Sequence, residues 1–265
     1  MKKAILIISM LLPFIIISCA GPGDSYYFKG VYRFEKGDYV NAVEYFTRAI
    51  EANPKHYRAY SMRGMAELKK GDPAGALKDC DKAVELAPKE AECYINRHEV
   101  RTILKDYKGA LADSTMVIKL RPKLAGAYCN RGFIYSMMGD DRSALKDYDM
   151  AIKLDHNSAL FYNNRADAKN KLGDYDGALD DISTAIKLDQ GFKGAYCTKG
   201  EIEANKGDYD AAIRDIGRAI EAEPDYAHYY YLRAVAEREA GDKNSARQDF
   251  EKARELGDKT GDKKK

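Results

Sequence analysis

The residues best suited to chemistry are five cysteines and four histidines, and their spacing argues against a metal or redox site. Zinc and redox sites place ligands or thiols a few residues apart, as in Cys-x-x-Cys or His-Glu-x-x-His, and neither pattern occurs. Only Cys80 and Cys93 would fall on adjacent helices, so a disulfide between them stays open. We therefore predict no metal, no cofactor and no catalytic residue.

Three carboxylates, Glu99, Asp167 and Glu201, recur at one position of the repeat described below. General acid–base catalysis needs two such groups within reach of one substrate. Separations of 68 and 34 residues along the chain favour groups too far apart for that work. An enzyme that uses these carboxylates is thus the weaker alternative, to be tested by screening activity against envelope substrates.

Cys19 stands apart because it directly follows an apolar run. Lys2 and Lys3 precede residues 4–17, which would span only about 21 Å as a helix, short of a ~30 Å hydrocarbon core. Ser18-Cys19 after such a run resembles the lipobox of bacterial lipoproteins. The resemblance implies a signal peptide at 1–18, a lipidated Cys19 and a short tether at 19–22. An uncleaved anchor or an ordinary signal peptide is the alternative.

The rest of the chain, which must position any site, repeats every 34 residues. Counting from residue 23, position 4 is always Tyr, position 16 always Asp and position 20 always Ala. A turn Gly followed by the position-16 Asp predicts the end of one helix and the cap of the next. Apolar residues at helical spacing then predict a second helix. Each unit therefore reads as two packed helices.

With small residues at position 8 and Ala at positions 20 and 27, these units resemble the tetratricopeptide repeat (TPR). The resemblance implies an all-α fold, a right-handed α-solenoid of seven 34-residue helix-turn-helix units. The units are TPR 1 to TPR 7 at 23–56, 57–90, 91–124, 125–158, 159–192, 193–226 and 227–260, before a charged tail at 261–265. The third unit is the weakest, with His98 at the small position and Lys105 in place of the turn Gly.

Position 7 is basic in every unit and position 23 is Asp in six. Because a partly buried guanidinium needs a carboxylate partner, we predict structural ion pairs rather than a polyanion track. The residues are Arg63/Asp79, Arg97/Asp113, Arg131/Asp147, Arg165/Asp181, Lys199/Asp215 and Arg233/Asp249. Without residues 1–18 the chain carries 42 basic and 42 acidic side chains, which predicts no nucleic-acid partner.

In this family the first helix of each unit lines a concave groove that binds peptides or proteins. The resemblance places an apolar stretch there first, formed by Tyr27, Val31, Phe34, Met62, Met65 and Leu68. An Asn-rich stretch follows, formed by Asn96, Asn130, Asn163, Asn164, Asp167 and Asn170. The Asn ladder suits a peptide backbone, or it is simply common in this repeat subtype. The apolar stretch suits an apolar partner, or it packs against the N-terminal segment or a membrane.

The outward face of the last unit carries Arg247 and Arg254 where the other units have apolar residues, which predicts a solvent-exposed end. Together these patterns predict a scaffold of the bacterial cell envelope, lipid-anchored to a membrane and facing the periplasm or exterior. It would hold a protein or peptide partner in its groove. An adaptor that regulates an envelope enzyme, such as a peptidoglycan hydrolase, is the alternative.

Overall fold

The computed structural model describes residues 21–257, which form helices joined by short turns. Each 34-residue repeat contributes a first helix, here called its A helix, and a second one, its B helix. The helices are α1 (Asp24–Glu35), α2 (Tyr39–Ala52), α3 (Tyr57–Lys70), α4 (Pro73–Leu86), α5 (Ala91–Ile103), α6 (Tyr107–Leu120), α7 (Ala125–Met137), α8 (Asp141–Leu154), α9 (Ala159–Lys171), α10 (Tyr175–Leu188), α11 (Lys193–Lys206), α12 (Tyr209–Ala222), α13 (Ala227–Glu239) and α14 (Lys243–Glu255). The predicted all-α fold with seven helix pairs is confirmed over this range.

The chain divides into two compact units, and the division falls after Leu104. In the first unit, α1 to α5 pack in chain order, and the A helices α1, α3 and α5 also contact one another in sequence. In the second unit, α6 to α14 pack in the same way, with contacts from α7 to α9, α9 to α11 and α11 to α13. Each unit therefore has a continuous face of A helices backed by B helices.

Every B helix begins at the Asp of position 16. Each of these side chains accepts a hydrogen bond from a backbone N–H in the first turn, as Asp174 does from Gly177. Such caps satisfy donors that a helix start leaves free. The cap predicted from the Asp column is confirmed in all seven repeats.

Small residues let the two helices of a repeat approach closely. The alanines of position 20 are almost completely buried in every repeat. A Cβ added at Gly30 would lie 2.6 Å from the Phe46 ring, and one at Gly132 would lie 2.8 Å from the Tyr148 ring. Position 8 is therefore small because the large side chain at position 24 fills the space beside it.

The third repeat departs from the others at its turn. Lys105 has a φ of 61°, whereas the residue at this position in the other repeats is a glycine with φ between 75° and 94°. The left-handed conformation costs an L-residue about 1 kcal/mol that glycine does not lose. The turn is kept despite its sequence because the helices on both sides are fixed by packing.

The proposed signal peptide, Cys19 and the tail at 261–265 lie outside the described residues. None of the helices within residues 21–257 is long and apolar enough to cross a bilayer.

Candidate binding surface

The side chains that position the binding surface are the basic residues of position 7. Arg131 donates two hydrogen bonds to Asp147, both at 2.7 Å. The same two-pronged contact is made by Arg63, Arg165 and Arg233, and Lys199 makes one bond at 2.6 Å. The pairs present are Arg63–Asp79, Arg131–Asp147, Arg165–Asp181, Lys199–Asp215 and Arg233–Asp249.

These basic residues also reach back to the preceding repeat. Arg165 Nη1 lies 2.7 Å from Asp149 of α8, and Arg63 Nη1 donates to Thr47 Oγ1 of α2 at 3.1 Å. Arg97, predicted to pair with Asp113, bonds to Asp81 of α4 at 2.8 Å. One guanidinium thus fixes its own B helix, the preceding B helix and its own A helix.

The tyrosines of position 4 explain the rest of this arrangement. Each lies one turn before the basic residue, and its ring faces the guanidinium, with 5.6 Å from the Arg165 carbon to the Tyr162 centroid. The same stacking holds at Arg63, Arg97, Arg131 and Arg233. A cation over an aromatic face gains roughly 0.5–1 kcal/mol at exposed sites. The invariant Tyr therefore supports the ion pair, a role that the repeat pattern alone did not reveal.

The apolar stretch of the first unit is not an open groove. Met65 and Leu68, expected to be exposed, are only 6% and 8% accessible and pack with Val100 and Phe34. Tyr27, Val31 and Met62 are half-buried against Phe46, Ala42 and Ala66. Neighbouring A helices approach so closely that these side chains fill the gap between them. The prediction that Met65 and Leu68 face a partner is therefore wrong.

The A-helix face of the second unit is polar. We define the polar A-helix face as the side chains of Asn130 on α7, Asn163, Asn164, Asp167, Asn170 and Lys171 on α9, and Cys197, Glu201 and Asn205 on α11. Asn130 is exposed, and Asn163 and Asn164 are half-buried. Asn170 is 7% accessible, so the expectation that it faces a partner is also wrong.

Part of this face is bonded between repeats. Asn164 Nδ2 lies 3.4 Å from Cys129 Sγ, Lys171 Nζ lies 3.0 Å from Ser136 Oγ, and Asn205 donates to Asn170 Oδ1 at 3.0 Å. In the first unit Asn96 donates likewise to Ser61 Oγ at 2.8 Å. Each bond joins residues 35 apart, from one A helix to the preceding one. The structural interpretation of the Asn ladder thus accounts for Asn96 and Asn164.

What remains free on the face accepts hydrogen bonds. Asn163 Oδ1 is buried and receives no hydrogen bond from the described residues. Asp167, one turn later on α9, is a half-buried carboxylate paired with Lys171 at 2.7 Å. Glu201 on α11 receives a bond from the Cys197 thiol at 3.8 Å. A partner that meets these groups must therefore bring donors.

Glu201 is held in an unusual environment. Burial, and next the negative charge of Asp167, raise its pKa to about 7, against small opposing effects of Cys197 and Lys171. Asp167 therefore influences Glu201 from the neighbouring helix, although the sequence spacing favoured separate groups. A carboxylate with this pKa changes its charge near neutral pH.

Two further carboxylates, Glu203 and Glu237, went unnoticed in the sequence. Glu237 is 8% accessible beside Arg233, and burial, together with the charge of Asp249, raises its pKa to about 7. Burial also raises the pKa of Glu203, which bonds to Lys199 at 3.3 Å. Their signal was an acid at position 11, one turn after the basic residue, in the two repeats concerned. They belong to the ion-pair ladder rather than to the face.

The described cysteines are buried free thiols, so the open question of a Cys80–Cys93 disulfide is answered in the negative. Burial raises the pKa of Cys93 to about 11, and it raises that of Cys129 to about 12. No group of three His, Cys, Asp or Glu side chains within residues 21–257 could hold a metal ion.

Sequence profiles of the tetratricopeptide repeat family match residues 28–91, 125–158, 159–192 and 197–259. No curated protein matches the chain.

Solved structures share the fold at low identity. A tetratricopeptide repeat protein from Parabacteroides merdae superposes with a TM-score of 0.78 at 23% identity, over 90% of this chain and 94% of that one. YrrB, described as a TPR protein with an unusual peptide-binding site, gives 0.55 at 22% identity, over 73% and 97%. PilW, described as a widely conserved type IV pilus biogenesis factor, gives 0.67 at 16% identity, over 73% and 90%.

Proposed function

This chain belongs to the tetratricopeptide repeat family, and on that premise we propose that it is a lipid-anchored scaffold of the bacterial envelope. It binds a protein or peptide partner along the polar A-helix face and helps to organise an envelope complex. It is a binding module and carries out no reaction of its own. The observation that carries the proposal is the set of acceptors on α9 and α11, which the described residues leave partly unsatisfied.

The chemistry of the face specifies the partner's contacts. A buried acceptor without a donor costs roughly 1–3 kcal/mol, which a bound donor would recover. Asn163 Oδ1, Asp167 and Glu201 are all acceptors, so the partner presents backbone N–H groups, a lysine or an arginine. The peptide-binding site named for YrrB agrees with this mode of use.

The envelope location is supported by Cys19 and by the apolar run at 4–17. One acyl chain anchors a protein only weakly, whereas two or three hold it firmly. The pilus role named for PilW shows that an envelope assembly is a setting in which this fold operates.

Anchoring is tested by Cys19→Ala in cells that produce the full chain. The proposed acyl acceptor is removed, so the variant should leave the membrane fraction or persist as a longer precursor. Cys129→Ala, which removes a buried thiol, serves as the matched control and should stay in the membrane fraction. A Cys19→Ala protein that fractionates and migrates like the wild type contradicts lipidation.

Partner binding is tested by placing a photo-reactive amino acid at Asn130, which is exposed on the polar A-helix face. Irradiation of intact cells should give a discrete adduct, identified by mass spectrometry, that weakens in Asp167→Asn/Glu201→Gln. Leu188, 40% accessible at the end of B helix α10, is the control site and should give no such adduct. Equal adducts from both sites, or none from Asn130, would reject the face as the binding surface. A peptidoglycan hydrolase in the adduct would indicate the adaptor role.

A further inference from the structure

The outer face of α1 is aromatic and uncovered in the described part of the chain. Phe28 and Tyr32 are 63% and 57% accessible, and one turn separates them on the helix. Gly30, on the opposite side, is buried against the Phe46 ring. The helix therefore buries one side in the repeat and presents the other, with two large rings, to its surroundings.

This face is the one that later A helices turn toward the preceding repeat. Phe28 holds position 6, where Asn96 and Asn164 bond to the A helix before them. Lys29 holds position 7, where Arg63 reaches the B helix before it. Among the described residues no helix precedes α1, so nothing within them covers these positions. At the other end, α14 meets the same situation with arginines, whereas α1 meets it with aromatic rings.

The chain before α1 indicates what covers this face. Only four residues separate Cys19 from Asp24, the first residue of α1, a reach of about 17 Å at roughly 3.5 Å per residue. Phe28 follows one turn later, a rise of about 6 Å. If Cys19 is lipidated, as the proposed function requires, these rings cannot lie far from the bilayer.

We propose that the outer face of α1 is a membrane-docking surface, with Phe28 and Tyr32 inserted at the interface of a bilayer that contains anionic lipid. Aromatic side chains favour the boundary between headgroups and acyl chains, and lysines beside them attract anionic headgroups. The proposal rests on the anchoring part of the proposed function and adds a second, weaker contact. Two signals together fix both the position and the orientation of the first unit.

The charges beside the rings suit this role. Lys29 lies with its Nζ 5.8 Å from the Tyr26 centroid, and Lys36 lies at the same distance from the Tyr32 centroid. Arg33 pairs with Asp38 at 3.4 Å, and Glu35 is exposed nearby, so they reduce the positive charge. Insertion of the rings is therefore the main contact, and the two lysines add a contribution that salt should weaken.

The test uses the absence of tryptophan from the chain. Phe28→Trp in the full chain gives a single reporter on the face. The protein, purified from membranes, is reconstituted in vesicles of phosphatidylethanolamine and phosphatidylglycerol, with or without bromine on the acyl chains. Flotation measures anchoring, and tryptophan emission measures docking. We expect the emission to shift to shorter wavelength and to lose most of its intensity with brominated lipid.

The matched control is Leu172→Trp, a leucine 43% accessible at the end of α9 in the fifth repeat, whose emission should stay unquenched. Adding Tyr32→Ser and Lys36→Glu to Phe28→Trp should abolish the quenching while the protein still floats.

Other outcomes overturn the proposal. If the Phe28→Trp protein floats and its emission is not shifted, docking is refuted and anchoring stays intact. If its emission is shifted but not quenched by brominated lipid, protein covers the face, either residues 1–20 or a second copy. A chain that does not float refutes anchoring and docking together.

Discussion

At the scale of single residues, the ion pairs of positions 7 and 23 determine how the two helices of a repeat are joined. The Asp147 side chain is only 7% accessible, and it tolerates burial because Arg131 donates two hydrogen bonds to it. A buried carboxylate without that partner is costly. The pair therefore specifies the geometry of the repeat more than it adds net stability.

We expect Arg131→Leu to lower the free energy of unfolding by about 3 kcal/mol, because Asp147 is left buried and unpaired. Arg131→Leu/Asp147→Leu should recover much of this loss, since no charge remains to be paired. Arg142→Leu, at an exposed arginine of α8, should change stability by less than about 0.5 kcal/mol. Urea unfolding followed by circular dichroism measures all three variants. A double variant less stable than the single one would show that the pair is itself stabilising.

Glu201 gives the polar A-helix face a dependence on pH. Its folded pKa of about 7 lies above its ordinary value of 4.5, so between these values the folded chain binds more protons than the unfolded chain. The free energy of unfolding then falls as pH rises through this window. Glu201→Gln should match the wild type closely near pH 5 and exceed its stability at pH 8, by on the order of 2 kcal/mol.

Urea unfolding at the two pH values measures this difference. Glu221→Gln, at an exposed carboxylate of α12, is the control and should show no growing difference. Equal effects of both variants at both pH values would contradict the assignment of the proton to Glu201.

At the scale of secondary-structure elements, each repeat owes its turn to one left-handed residue. Gly139 takes this role in the fourth repeat with φ of 82°, and Lys105 takes it in the third with φ of 61°. A Cβ at Gly139 would meet nothing within 4 Å, so the preference for glycine there is one of backbone conformation alone.

We expect Lys105→Gly to stabilise the chain by about 0.5–1 kcal/mol, because the strain of the left-handed lysine is relieved. The reverse change, Gly139→Lys, should destabilise it by about 1 kcal/mol. Thermal and urea unfolding of the two variants, which share one turn geometry, form a matched pair of measurements. If Lys105→Gly is less stable than the wild type, the lysine side chain makes a contact that outweighs the strain.

Most of the helical architecture could be predicted from the sequence because it depends on repeated local signals. The Asp caps, the turn glycines and the alanine columns are each sufficient within one repeat. The binding surface was harder to predict because it depends on how far neighbouring A helices stand apart. That distance buries Met65, Leu68 and Asn170, and it brings Asp167 close enough to raise the pKa of Glu201. No signal within one repeat reports it.

At the scale of the whole molecule, the ends of the helical array carry different surfaces. The outward face of α14 shows Arg247, whose side chain is 76% accessible and lies 4.0 Å from Glu251, and Arg254, which is also exposed. Of the equivalent positions in the sixth repeat, Ile213 and Ile220 both pack against the seventh. Charge at these two positions keeps this end soluble.

We expect Arg247→Leu/Arg254→Ile to self-associate, because the change exposes an apolar helix face like those inside the array. Light scattering across a range of concentrations should show a rising mass, whereas Arg247→Gln/Arg254→Gln should behave like the wild type. An unchanged mass for the apolar variant would contradict the role of the arginines.

The two-sided bonding of the position-7 residues bears on how such a chain can lengthen through duplication of a repeat. A second copy of 159–192 placed in tandem would bring its own Asp181 with it, so the buried bond of the copied Arg165 would be inherited intact. Its other bond would meet Ser183 in place of Asp149, and Asp149 is 62% accessible there, where an ion pair is worth about 0–1 kcal/mol. The costly contact thus travels within the duplicated segment, and only the inexpensive one is left to later mutation. Repeat number can therefore change in this lineage without the fold being lost in between.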